Sequence, residues 1–147
     1  MGAVQVQHYL NRARDFLKGM ESLFEEEVYV LEEDLVQFTH SPALLGIHGA
    51  ISYCDALRIG LGSESLSSDD HGRAASELLT LLSGRKYEDR QGIQRLERLL
   101  AKKSIVAYFP KRVAVKDVHE IVQQARRFAI WAESAGRQLK IEGWRND

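Results

Sequence analysis

SPALLGIHGAISYCDALRIGLG, residues 41–62, carries the strongest structural signal in the chain, because it is apolar around most of a helical circumference. Ser41 and Pro42 have the residue types of a helix start, a hydroxyl at the N-cap followed by proline in the first turn. Gly60 and Gly62 end the apolar pattern, so the sequence predicts a helix over residues 42–61. A helix that is apolar on several sides needs neighbours on those sides, and this one is predicted to lie in the middle of a bundle.

The residues before this stretch predict a first helix with one apolar face. Apolar residues recur every three or four positions from Val6 to Phe24, which is the spacing of one side of an α-helix. The same spacing continues beyond Phe24, but a run of glutamates that ends at Glu27 and the β-branched Val28 interrupt it. We expect the helix to break near Glu27, with one long helix as the alternative.

The residues after the central stretch predict three further helices. Each has apolar residues at helical spacing and a stop signal at its end, and their ranges are about 70–84, 88–108 and 116–139. Asp69 or Asp70 is suited to cap the first of them, and Pro110 ends the second. The residues from about 140 are predicted to form a tail, with docking of Trp144 as the alternative. Since no stretch alternates as a strand does, the sequence predicts one all-α domain over residues 1–147, a four- to five-helix up-and-down bundle.

The overall composition is that of a globular protein without a membrane span. The 147 residues are 44% hydrophobic and 28% charged, close to the average for folded domains. No apolar run approaches the roughly 18 residues of a membrane span, so no membrane partner is expected. The single cysteine, Cys54, has no partner for an internal disulfide, and the first ~30 residues lack the apolar segment of a secretion signal. These features predict a cytoplasmic protein.

Several familiar cofactor motifs are absent from the sequence. It has no P-loop, no dinucleotide-type glycine pattern, no cysteine pair and no Glu-x-x-His, so no cofactor is predicted. The histidines are scattered one to an element, at His8, His40, His48, His71 and His119. They form a metal site only if the fold gathers them, and a metal-binding bundle therefore stays open as a third hypothesis.

The charges are distributed unevenly, although the net charge is only −1. Residues 1–40 contain eight acidic and three basic residues, whereas residues 85–112 contain nine basic and three acidic residues. Within the basic segment, Arg95, Arg98 and Lys102 lie three and four positions apart and form a basic stripe with Arg90. These four side chains are candidates for binding the phosphates of RNA or a nucleotide. The alternative is a solvated helix face, because no aromatic residues are interleaved with these bases for stacking.

Three ionisable residues are candidates for catalysis. His48 and Asp55 are seven positions apart and share an apolar stripe of the central helix, so both are predicted to point into the bundle or into a groove. His71 opens the following helix, where a cation opposes the helix dipole. One hypothesis is that each makes a structural hydrogen bond, and the other is a pocket in which a shifted pKa serves proton transfer.

Three segments of the chain together resemble the HEPN superfamily of helical bundles. They are HGAISYCDALRIGLGSESLSSDDHGRAASELLTLL from residue 48, LERLLAKKSIVAY from residue 96 and VHEIVQQARRFAIWAE from residue 118. The resemblance covers roughly residues 5–136. It implies an up-and-down bundle, commonly a homodimer, of a kind found as ribonuclease toxins, as partners of nucleotidyltransferases, and as non-catalytic modules associated with RNA or nucleotides.

The resemblance also identifies where a ribonuclease motif would lie. Ribonuclease members carry an arginine and a histidine with four to six residues between them, and here Lys103 and Tyr108 occupy those places. A tyrosine with a pKa near 10 is a poor base at neutral pH, and lysine lacks the bidentate fork of arginine. The expectation is a non-catalytic, homodimeric interaction module of a bacterial or archaeal cytoplasm. The alternative is an enzyme, either a residual ribonuclease or one that uses a pocket of His48, Asp55 and His71.

Overall fold

The computed structural model describes residues 2–33, 41–64, 70–108 and 115–146. Every regular element in these ranges is a helix: α1 (Ala3–Glu33), α2 (Ser41–Gly60), α3 (His71–Gly84), α4 (Gln91–Tyr108) and α5 (Val115–Gln138). The all-α helical bundle predicted from the sequence is therefore confirmed. Among the described residues, no helix combines the length and the apolar character needed to span a bilayer.

The central position predicted for the second helix is what the structure shows. Helix α2 packs against α1, α3, α4 and α5, and its residues 49–59 are all buried. Glycines on α2 allow the close approach of α1, since a side chain at Gly49 would overlap Leu17 and one at Gly46 would press on Met20. The hydrophobic effect drives these contacts, because α2 has no polar side that is suited to water.

Helix α1 does not break near Glu27, so that prediction was wrong and the long-helix alternative is correct. The helix runs without interruption from Ala3 to Glu33. Glutamate is a good helix former, and a β-branched residue such as Val28 costs only ~0.5 kcal/mol within a helix. That penalty is too small to end a helix whose earlier turns are already held by packing on α2.

The remaining helices lie close to their predicted ranges. Asp70 caps α3 and accepts a hydrogen bond of 3.0 Å from the backbone N–H of Arg73. Helix α4 starts at Gln91, three residues later than predicted, so Arg90 precedes the helix. Asp69 and Pro110, assigned above to a cap and a helix end, lie outside the described residues.

The C-terminal residues pack onto the bundle. Ile141 is buried against Gly60 at the end of α2. The Trp144 indole fills the space that a side chain at Gly136 would need, and its ring stacks on Tyr53 with 6.4 Å between the ring centroids. Of the two alternatives for this segment, docking through Trp144 is the one observed.

Candidate functional site

Asp55 belongs to a buried ion-pair network that joins α2 to α3. The Arg58 guanidinium donates to Asp55 at 2.8 Å, one turn away on the same helix, and to Glu77 of α3 at 2.9 Å. It also donates to the Ser63 hydroxyl at 3.0 Å. Arg58 and Asp55 are among the least exposed charged residues of the chain, at 1% and 5%. The carboxylate of Asp55 is thus engaged by a neighbouring cation within the core.

The pKa directions in this network reflect burial and pairing. Burial raises the pKa of Asp55, and the hydrogen bond from Arg58 opposes that effect only in part. Burial also acts against the charged form of Arg58, but hydrogen bonds to Asp55 and Glu77 outweigh it and raise the Arg58 pKa. A hydrogen bond from Ser63 and another from Arg58 lower the pKa of Glu77.

His71 acts electrostatically on both His48 and Asp55. The His48 ring is half-buried and lies 5.7 Å from the Phe16 ring between centroids. Burial lowers the pKa of His48, and the positive charges of Lys103, Arg12 and His71 lower it further. His71 also acts on Asp55, where its charge favours the carboxylate. His71 is therefore near enough to act on both of the other candidates, and Arg58 binds Asp55 directly.

The remaining candidates from the ribonuclease-like stretch and the basic stripe lie on α4, except Arg90, which precedes it. Lys103 is half-buried and acts on His48, whereas the side chain of Tyr108 lies outside the described residues. Arg95 donates to Gln124 at 3.4 Å, and the ammonium of Lys102 lies 4.0 Å from Asp117, so both are directed towards α5. Arg90 and Arg98 are exposed.

No metal site is formed by the part of the chain that the structure describes. No group of three or more histidine, cysteine or carboxylate residues there is arranged to hold a metal ion. His40, one of the five scattered histidines, lies outside the described residues. The thiol of Cys54 is buried and its pKa is raised by burial, which is the environment of an unreactive core cysteine.

A groove of about 760 Å³ opens between α1 and α5. Its apolar lining includes Leu17 of α1 together with Ala129 and Ile130 of α5, and Tyr53 of α2 also contributes. Ile130 is 71% exposed, and among the large apolar side chains that the structure describes only Val4 is more exposed. His48, Asp55 and His71 do not line this groove.

Two bidentate ion pairs connect α1 and α5 at the groove. Arg14 binds Glu133 through two contacts of 2.8 Å, and Arg126 binds Glu21 through contacts of 2.6 and 2.8 Å. The Arg126 hydrogen bond lowers the pKa of Glu21. Bidentate geometry fixes both partners more firmly than a single contact does. The two helices are therefore clamped at two levels, with the groove between them.

Glu133 is also the centre of a polar network behind the groove. It accepts hydrogen bonds from the Tyr53 hydroxyl at 2.8 Å and from the Trp144 indole at 3.1 Å, in addition to its pair with Arg14. Burial acts to raise the pKa of Glu133, but Arg14 and Tyr53 outweigh it and the pKa is lowered. The network links α1, α2, α5 and the docked C-terminal residues.

The sequence analysis missed most of the residues that organise these two regions. Arg58 follows Asp55 at the spacing of an intrahelical ion pair, and that signal was present in the sequence. The pairs of Arg14 with Glu133 and of Arg126 with Glu21 join positions more than a hundred residues apart, so no local pattern indicates them.

Comparison with known proteins gives no assignment for this arrangement: no family model, no curated protein and no solved structure matches the chain.

Proposed function

We propose that the chain is a non-catalytic, HEPN-like interaction module that acts as a homodimer in a prokaryotic cytoplasm. The observation that carries the proposal is the groove between α1 and α5, where Ile130 remains 71% exposed beside other apolar side chains. In the homodimer that we propose, a second copy of the chain covers Ile130 and the apolar side chains beside it.

The state of the catalytic candidates supports an interaction module over an enzyme. Asp55 is the carboxylate nearest to His48 in the sequence, and Arg58 binds it in the core. A general base must reach the proton it removes from a substrate, and a carboxylate held in a buried ion pair is badly placed for that. The lysine and tyrosine at positions 103 and 108 support the same conclusion.

An enzyme that uses His48, Asp55 and His71 is the second candidate function. It is favoured by one observation, namely that the charge of His71 acts on both His48 and Asp55. For the interaction module, the partners that the resemblance implies are RNA, a nucleotide or a nucleotidyltransferase, and the exposed Arg90 and Arg98 are suited to phosphate.

The primary test is the oligomeric state of the purified 147-residue chain. Light scattering coupled to size-exclusion chromatography, at tens of micromolar protein, is expected to give the mass of a dimer. A strictly monomeric protein at that concentration contradicts the proposal. Dimerisation is also expected in a Cys54→Ser variant, because the thiol is buried and takes no part in association.

A further inference from the structure

We propose that the α1–α5 face is the surface through which two copies of this chain associate, with α5 of each copy lying along α1 of the other. This inference rests on the homodimer proposed above and assigns its interface. The surface consists of the groove residues Leu17, Lys18, Ala129 and Ile130 and of the two ion pairs that connect α1 and α5.

The ion pairs define how the two helices are aligned. Glu21 lies seven residues after Arg14 on α1, and its partner Arg126 lies seven residues before Glu133 on α5. The helices are therefore antiparallel, and the two ion pairs lie about 10 Å apart along the groove. In this register Ile130 is level with Leu17, and Ala129 is level with Lys18. The centre of the surface is thus apolar on both sides, apart from the lysine.

The charges at the two ends of the groove are arranged with opposite polarity. At one end the cation is Arg126 on α5 and the anion is Glu21 on α1, whereas at the other end the cation is Arg14 on α1 and the anion is Glu133 on α5. The four charges of the ion pairs cancel, which leaves the charge of Lys18 as the net charge of each surface. A symmetric dimer uses the same surface twice, which requires this kind of self-complementarity.

A two-fold axis along the groove brings unlike charges together. It places α5 of one copy over α1 of the other at the same level, so that Arg126 faces Glu21 of the second copy and Glu133 faces its Arg14. Ile130 then contacts Leu17 of the second copy and enters the groove beside it. The aliphatic stem of Lys18 covers Ala129 of the second copy while its ammonium reaches water.

A two-fold axis across the groove is the competing arrangement. It also pairs unlike charges at the ends, but it sets α1 against α1 and so opposes Lys18 to Lys18 at the centre. Like charges that face each other in an interface are unfavourable. The arrangement with α5 over α1 avoids this contact, and it is the one that we infer.

The first test compares two exposed apolar residues on different surfaces. Ile130→Glu is expected to raise the dimer dissociation constant by about thirtyfold or more, the effect of losing one central anchoring side chain. Val4→Glu is the matched control, because Val4 is 76% exposed near the start of α1 and lines no part of the groove. Both constants are measured by sedimentation equilibrium, after circular dichroism shows that each variant is folded.

The outcomes of this test distinguish a failure of the proposed α1–α5 interface from a failure of the homodimer proposal. A dimer that is unaffected by Ile130→Glu overturns the α1–α5 face but leaves the homodimer proposal standing. A wild-type chain that is monomeric overturns both. A weakening by Ile130→Glu that Val4→Glu does not reproduce supports the face.

The second test distinguishes the two symmetry arrangements by charge reversal. Arg126→Glu alone places an acid against Glu21 within one copy and between copies, and it is expected to weaken the dimer. If α5 lies over α1, the double variant Glu21→Arg/Arg126→Glu restores an ion pair within each copy and between the copies. The acid and the base have exchanged positions but still face each other. If α5 lies against α5, the double variant instead opposes two acids and two bases. Recovery of the dimer in the double variant supports the inferred arrangement, and continued weakness overturns it.

Discussion

The Asp55–Arg58 pair is the most deeply buried pair of opposite charges in the described part of the chain. Its side chains are 6% and 1% exposed, and the 2.8 Å contact lies one turn apart on the central helix. Removing two charges from water is costly, and their mutual attraction compensates only while both are present. The pair therefore adds little stability as a unit, although the loss of either member is severe.

Removal of Arg58 alone is expected to destabilise the protein strongly. Arg58→Met leaves the Asp55 carboxylate in the core without its cation, which is expected to cost about 3–5 kcal/mol of unfolding free energy in urea denaturation. The double variant Asp55→Leu/Arg58→Met is expected to recover most of that loss, because neither charge is then buried. Glu77 tolerates the change, since its side chain is 39% exposed and can be hydrated. If the double variant is as unstable as the single variant, the loss of stability comes from the packing of the two side chains and not from an unpaired buried charge.

The protonation of His48 is expected to make the fold sensitive to acid. In the folded chain the pKa of His48 lies below the ordinary value of 6.5, because burial and the cations Lys103, Arg12 and His71 lower it. At a pH between the folded and the unfolded pKa, the unfolded chain therefore binds more protons at this position than the folded chain does. Stability linked to His48 is then full above pH 6.5 and decreases as the pH falls through that value. In His48→Gln this contribution is absent.

The measurement is the free energy of unfolding between about pH 5 and pH 8 for wild type and His48→Gln. The wild-type curve is expected to fall more steeply below neutrality than the variant curve. His8→Gln serves as the control, because His8 is exposed on α1. Parallel curves for wild type and His48→Gln would mean that the histidine titrates alike in both states.

At the scale of the elements, the C-terminal residues are attached to α5 by close packing at one glycine. A methyl group at Gly136 would overlap the Trp144 indole, which also donates to Glu133. Gly136→Ala is therefore expected to displace the indole and to cost ~1–3 kcal/mol by overpacking. Acrylamide quenching of tryptophan fluorescence is expected to increase.

Two comparisons identify the indole as the cause of this cost. The penalty of Gly136→Ala is expected to disappear in a Trp144→Ala background, because the obstacle is then gone. Gly84→Ala, at the end of α3, is expected to be neutral or to stabilise by ~0.5–1 kcal/mol, since no atom lies within 4 Å of the added methyl group. A penalty that persists without the indole would indicate strain in α5 itself.

The helices were largely predictable from the sequence because apolar spacing and caps are local signals. The central helix followed from its apolar circumference, and the Asp70 cap followed from residue type. The continuity of α1 through Glu27 was not predicted, because weak local propensities were given more weight than packing on α2. The docking of Trp144 remained open, since it depends on Gly136 and Tyr53, which only the fold brings near.

The candidate regions were predictable only in part. His48, Asp55 and His71 were singled out because ionisable residues are unexpected on an apolar helix or at its start, and in the structure His71 acts on both of the others. The groove was not predicted at all. It depends on the register of α1 against α5, and contacts between distant parts of a chain leave no spacing pattern in either helix.

At the scale of the whole molecule, the near-zero net charge limits how the protein can bind nucleic acid. Of the four bases in the stripe, Arg95 and Lys102 are directed towards α5, so Arg90 and Arg98 are the ones most open to phosphate. When a protein neutralises two phosphates of a single strand, the logarithm of its affinity falls with the logarithm of the salt concentration, with a slope of about −1.4. RNA binding is therefore expected to be weak and to be lost at moderate salt.

Fluorescence anisotropy with a short single-stranded RNA tests this expectation. Arg98→Gln is expected to weaken binding clearly, whereas Arg95→Gln, whose guanidinium already donates to Gln124, is expected to have less effect. The same RNA is expected to stay intact, because Asp55 is bound by Arg58 and the ribonuclease-like positions hold Lys103 and Tyr108. Cleavage that is abolished by Lys103→Ala or Tyr108→Phe would instead establish the enzyme alternative. Cleavage that survives both variants but is lost in His48→Gln would place the chemistry at the His48, Asp55 and His71 group.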